Sequence, residues 1–158
     1  MLPGRSYTAG YPALRVPALA LSQVGYDIAP IEYAGGGEVT WNLALASDWD
    51  AIVDSVLPQV TAAITGASMI TVLAKSLGTA IAARLGVVIG PADAIWVTPL
   101  FADAEVRAGA IATGWRSLSI FGTADPAHDP AGQAEVTAAL SGEEIEVEGA
   151  NHSRLLFW

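Results

Sequence analysis

Short runs of branched and aromatic apolar residues, bounded by Gly, Pro or Asp, recur along the chain and predict β-strands. Five stand out: Asp27 to Tyr33, Ser68 to Ala74, Ala94 to Thr98, Ser117 to Gly122 and Glu144 to Glu148. Segments with helical length and composition lie between or before them, over Tyr11 to Val24, Trp49 to Ile64, Leu77 to Leu85, Asp103 to Ala112 and Pro130 to Leu140. Strand and helix therefore alternate. Helices that carry the chain between successive strands imply crossover connections, hence a mainly parallel β-sheet with helices on both faces, a three-layer α-β-α arrangement of the α/β class. The last strand alternates Glu with Ile and Val, so one of its faces is expected to meet water at a sheet edge.

Two stretches read as loops. Thr123 to Pro130 is broken by Asp and Pro, and Ala34-Gly35-Gly36-Gly37-Glu38 by its glycines. The triple glycine lacks the Lys-Ser/Thr of a P-loop and the spacing of a dinucleotide fingerprint, so a plain loop is the better reading. No repeat or linker divides the chain, and its 158 residues suit one domain spanning 1–158.

Composition sharpens this picture. Hydrophobic residues make up 53% and charged ones only 15%, in keeping with strands buried on both faces. The formal charge of -9, with no cluster of Lys or Arg, repels phosphate backbones and anionic lipid, which argues against nucleic-acid or membrane partners. The absence of cysteine removes disulfides, thiolate metal sites and thiol nucleophiles from consideration. No apolar run reaches the roughly 20 residues of a membrane span. Nor does Met1-Leu2-Pro3-Gly4-Arg5 resemble a secretory leader, so a cytoplasmic location is expected.

The candidate chemistry centres on Ala74-Lys75-Ser76-Leu77-Gly78, where a predicted strand runs into a helix and small residues flank a serine at two places on either side. This is the pattern of a nucleophile elbow, in which the turn is so tight that the neighbours must be small. The Leu77 N–H, at the start of the following helix, would face a developing oxyanion. Alternatively, Ser76 simply caps that helix.

A serine hydroxyl needs a base, and the base needs an orienting group. Of the two histidines, His128 lies inside the Asp-Pro loop, while His152 in Gly149-Ala150-Asn151-His152-Ser153 follows the last strand. Parallel strands deliver the residues beyond their C-terminal ends to one sheet edge, which favours His152. Asp125 in Phe121-Gly122-Thr123-Ala124-Asp125-Pro126 also follows a strand and completes the order Ser, Asp, His.

Other carboxylates compete less well: Asp129 is placed to cap a helix and Asp93 to open a strand. His128 with Asp125 and Asp129 would make a poor metal cage, so neither a metal nor an organic cofactor is expected. Lys75 is expected to be a solvated lysine on the elbow. Trp96 and Phe101 could line an acyl pocket or pack in the core.

With these residues in place the chain resembles the α/β-hydrolase superfamily, over nearly its whole length. Ala74 to Gly78 looks like the elbow, Gly122 to Pro126 like the acid turn, and Gly149 to Ser153 like the histidine loop. Leu2-Pro3-Gly4-Arg5-Ser6-Tyr7-Thr8 is similar to the loop that supplies the second oxyanion donor, which nominates the Arg5 backbone N–H. The resemblance implies a small, carboxylesterase-like serine hydrolase in which Ser76, His152 and Asp125 form a triad acting on a small-molecule acyl substrate.

It also implies a core shortened at both ends. Only Met1 and Leu2 stand where a strand usually leads in, and no helix follows the histidine loop before Trp158. An inactive relative serving as a binding module is the alternative. The apolar tail Leu155-Leu156-Phe157-Trp158 could fold back or pair subunits into a homo-oligomer.

Overall fold

The computed structural model describes residues 1–5, 7–33 and 46–152. Four strands, β1 (Thr71–Lys75), β2 (Asp93–Val97), β3 (Arg116–Gly122) and β4 (Glu143–Val147), form one sheet in the order β1-β2-β3-β4. Every neighbouring pair is parallel. Lys75 aligns with Val97, Val97 with Ile120 and Ile120 with Ile145, so the loops beyond the strands leave from one edge. That edge is where a parallel sheet can gather residues distant in sequence.

The helices are α1 (Pro12–Gln23), α2 (Ala46–Ile64), α3 (Leu77–Ile89), α4 (Ala104–Thr113) and α5 (Pro130–Leu140). Strand alternation distributes the core between two faces. Val72 and Ala74 of β1, with Ala94 and Trp96 of β2, pack with buried residues of α2, α3, α4 and α5. Leu73 and Val97 point the other way and pack with Ala13, Leu14 and Ala18 of α1. The helices thus cover both faces, as the alternation predicts, but unequally among the described residues.

Where boundaries differ from the sequence expectation, packing is the reason. The helix expected to stop at Leu85 runs through Gly86 to Ile89. A side chain at Gly86 would stand 2.8 Å from Thr113 Cγ2, and one at Gly109 would stand 3.1 Å from Ala83 Cβ. Small residues here let α3 and α4 approach closely, a gain that outweighs the helix cost of glycine. The strand expected from Ser68 begins only at Thr71, after an exposed turn that includes Gly66 at φ 77°.

The segment expected as a first strand, Asp27 to Tyr33, forms no regular strand. Its pairing is short: the Met1 nitrogen donates to the Ala29 carbonyl at 2.7 Å, and the Ile31 N–H donates to the Met1 carbonyl at 2.9 Å. Leu2 in turn bridges Ala74 in parallel, donating to Leu73 O at 2.8 Å and accepting from Lys75 N at 3.0 Å. These contacts extend the sheet beyond β1 and carry Pro3-Gly4-Arg5 to the C-terminal edge.

β4 lies at the opposite border, and its residues are largely exposed, including Ile145. Charged side chains there discourage edge-to-edge pairing. The loop Ala34 to Glu38 and the tail Leu155 to Trp158 lie outside the described residues.

Candidate active site

β1 ends at Lys75, and the chain reverses into α3 at Ser76, whose φ of 51° and ψ of -116° are unusual for a residue with a side chain. Backbone bonds hold it there. The Ser76 N–H donates to Val97 O at 3.0 Å, while its carbonyl accepts from the Thr79 N–H at 2.8 Å and the Thr79 hydroxyl at 2.6 Å. The side chain makes no cap bond to α3, which disposes of the capping alternative.

Crowding explains the flanking glycines. A Cβ at Gly78 would overlap the Leu2 carbonyl, and one at Gly4 would lie 3.3 Å from Ser76 Cβ. The Pro3-Gly4-Arg5 turn therefore sits against the elbow, and the Tyr33 hydroxyl fastens it by donating to Pro3 O at 2.6 Å.

Instead of capping, Ser76 Oγ lies 2.7 Å from His152 Nε2. His152 Nδ1 lies 2.9 Å from Asp125 Oδ2 and 3.1 Å from Oδ1. A carboxylate only accepts, so Nδ1 carries the proton and Nε2 presents its lone pair to the serine hydroxyl. The Asp125 side chain is 2% exposed and that of His152 29%, so the acid is sealed while the base reaches solvent.

The loops bearing Asp125 and His152 are laced together. The Thr123 N–H donates to Val147 O at 3.1 Å, the Ala124 N–H to Ala150 O at 3.0 Å, and the Gly149 N–H to Thr123 Oγ1 at 2.8 Å. Gly122 permits this approach, because a Cβ there would overlap the Ala150 carbonyl. The Ala127 N–H donates to Asp125 Oδ1 at 2.8 Å and fixes the carboxylate.

The competing assignments resolve differently. Asp129 caps α5 by accepting from the Ala131 N–H at 3.2 Å, and Asp93 pairs with Arg116 at 2.8 Å. The His128 ring stacks on Phe121 with centroids 4.2 Å apart, and no group of potential metal ligands gathers among the described residues. Trp96 and Phe101 pack in the core in edge-to-face contact.

The expectation for Lys75 fails. It is 3% exposed rather than solvated, because strand alternation places it on the Leu73 face, beneath the loops at the sheet edge. Its Nζ donates to Thr98 Oγ1 at 3.2 Å and to the His152 carbonyl at 2.9 Å, and lies 4.6 Å from the Tyr7 ring centroid. Burial lowers the ammonium pKa to about 8, partly opposed by the Asp125 charge. Thr98 and Tyr33 also escaped notice in the sequence. The covered side of the Val72-Leu73-Ala74-Lys75 alternation was the available signal for Lys75.

The Leu77 N–H, at the first position of α3, has no carbonyl of its own helix to pair with and suits an oxyanion donor. A cavity of about 510 Å³, lined in part by Tyr26, Val60, Met69 and Thr71, lies by the N-terminal ends of the strands and touches none of Ser76, Asp125 and His152. Among the described residues no helix is long and apolar enough to cross a membrane.

The sequence matches no protein-family model and no curated protein. Its fold is that of a protein of unknown function from Agrobacterium tumefaciens, provisionally classed as an α/β hydrolase. That structure aligns with a TM-score of 0.62 and 16% identity over 96% of this chain and 73% of the other.

Proposed function

We propose that this chain is a serine hydrolase that cleaves ester or related acyl bonds of small substrates through an acyl-enzyme on Ser76. The observation that carries the reading is the unbroken hydrogen-bonded line from Asp125 through His152 to Ser76 Oγ. Hydrogen-bond reach along the whole line favours this reading over a loosened, non-catalytic scaffold, since about 1 Å of misplacement costs roughly 100-fold in rate.

In the first half-reaction, Ser76 Oγ attacks the substrate carbonyl carbon while His152 Nε2 takes the hydroxyl proton. Asp125, held on Nδ1–H, favours the imidazolium that results. The tetrahedral oxyanion is held by the Leu77 and Arg5 N–H groups. Collapse breaks the acyl–oxygen bond, and the leaving alcoholate takes the proton from Nε2. Water, deprotonated by the same nitrogen, then attacks the acyl carbon; collapse breaks the bond to Ser76 Oγ, which takes the proton back from Nε2 as the acid leaves.

These steps require neither metal nor cofactor. The net charge of -9 argues against polyanionic substrates. The test is hydrolysis of short and long p-nitrophenyl esters by the wild type, Ser76→Ala and His152→Ala. Turnover by the wild type that falls to background in both variants supports the reading, whereas turnover that survives Ser76→Ala refutes it.

A further inference from the structure

The residue before the serine does more than the hydrolase reading asks of it. Lys75 is an ammonium 3% exposed in a β-sheet core, and its hydrogen-bond partners at Nζ are a hydroxyl and a carbonyl. Neutral groups of this kind compensate a buried charge only in part. The hydroxyl belongs to Thr98, a β-branched residue at φ 44°, where the backbone is strained. The carbonyl belongs to His152.

Buried charge and backbone strain converge at the edge where β1, β2 and the histidine loop meet, and such costs gather at functional sites. The link runs directly from the elbow to the base, across 77 residues of sequence.

We infer that Lys75 is a positioning residue: braced on Thr98 Oγ1, its Nζ grips the His152 carbonyl and fixes the imidazole between Ser76 and Asp125. This rests on the hydrolase reading. The anchor is at the backbone of His152, so it sets where the ring begins, while Asp125 sets how the ring turns. Restraint at both points leaves Nε2 aimed at Ser76 Oγ.

The Tyr7 ring covers the ammonium from the N-terminal loop, 4.6 Å from Nζ to the ring centroid, and the Asp125 charge favours the charged form.

The experiment compares wild type with Lys75→Met, which keeps the stem and removes the donor and charge. The expected result is a kcat lower by about 100-fold with a KM within about threefold, the split that a misaimed base gives and a general loss of folding does not.

Because a buried substitution can prevent folding, Lys75→Cys provides a second route. The chain has no cysteine of its own, so bromoethylamine applied to unfolded protein, followed by refolding, restores an ammonium at this position alone. Recovery of kcat on aminoethylation supports the positioning role. Folded Lys75→Met with wild-type kcat overturns it, as does folded, aminoethylated protein that recovers no activity. A wild type that turns over no ester and accepts no fluorophosphonate refutes the hydrolase reading instead.

Discussion

Asp125→Asn changes one atom of the site, and the structure dictates which way the new amide must turn. Asp125 Oδ1 accepts from the Ala127 N–H at 2.8 Å, so the amide oxygen of asparagine keeps that position. Its NH₂ group then takes the place of Oδ2, 2.9 Å from His152 Nδ1. Two N–H donors cannot face each other, so the imidazole moves its proton to Nε2 and leaves Nδ1 as the acceptor.

Nε2–H then faces Ser76 Oγ and has no lone pair to take the serine proton. Loss of the correct tautomer in a triad costs on the order of 10³ to 10⁴ in kcat, equivalent to about 4 to 5.5 kcal/mol of barrier. Both hydrogen bonds of the buried group survive, so the variant should still fold, with Tm lowered only by loss of the charge that offsets the buried Lys75 ammonium. Steady-state hydrolysis of p-nitrophenyl acetate measures the loss, and nitrogen-15 NMR of the His152 ring reads the tautomer. A variant within about threefold of wild type, or one whose Nδ1 still carries the proton, refutes the reasoning.

The remaining predictions concern support of the site. Asp129→Ala removes the α5 cap and should lower stability by about 1 kcal/mol in urea unfolding with kcat unchanged, which separates this acid from Asp125. Gly122→Ala forces a methyl group into the Ala150 carbonyl and should displace the histidine loop, lowering kcat by about 10-fold to 100-fold with a smaller effect on KM. Burial lowers the Lys75 pKa from 10.5 to about 8, so the folded state holds fewer protons than the unfolded state between these values. Stability of wild type relative to Lys75→Met should therefore rise across that window, by on the order of 3 kcal/mol, in urea titrations at several pH values. A flat or falling difference contradicts the burial account.

Much of the candidate site was legible because its chemistry coincides with strand ends. Ser76, Asp125 and His152 each follow a short apolar run, and a parallel sheet needs only matched registers to bring such positions together. Asp129 and Asp93 were legible as a cap and a strand opener for equally local reasons. For Lys75 the alternation of β1 marks only the covered side, and its partners are illegible because what buries its head is remote. Tyr7, Thr98 and the His152 carbonyl reach it from three separate loops, and composition next to Lys75 carries no trace of them.

The same holds for Asp27 to Tyr33. Its short run of branched and aromatic residues predicts a strand, but pairing with Met1 covers only Ala29 to Ile31, and Tyr33 braces Pro3. The end of α3 was misplaced for a different reason. The helix runs on through Gly86, which in space is the gap that admits Thr113.

If Ser76 is the nucleophile, a fluorophosphonate should modify it, and the mass of the intact protein after exposure reads that directly. One adduct per chain is expected, mapped to the peptide containing Ser76, abolished in Ser76→Ala and slowed by orders of magnitude in His152→Ala. Folded wild-type protein that gains no mass, or an adduct that persists in Ser76→Ala, rules Ser76 out as the nucleophile.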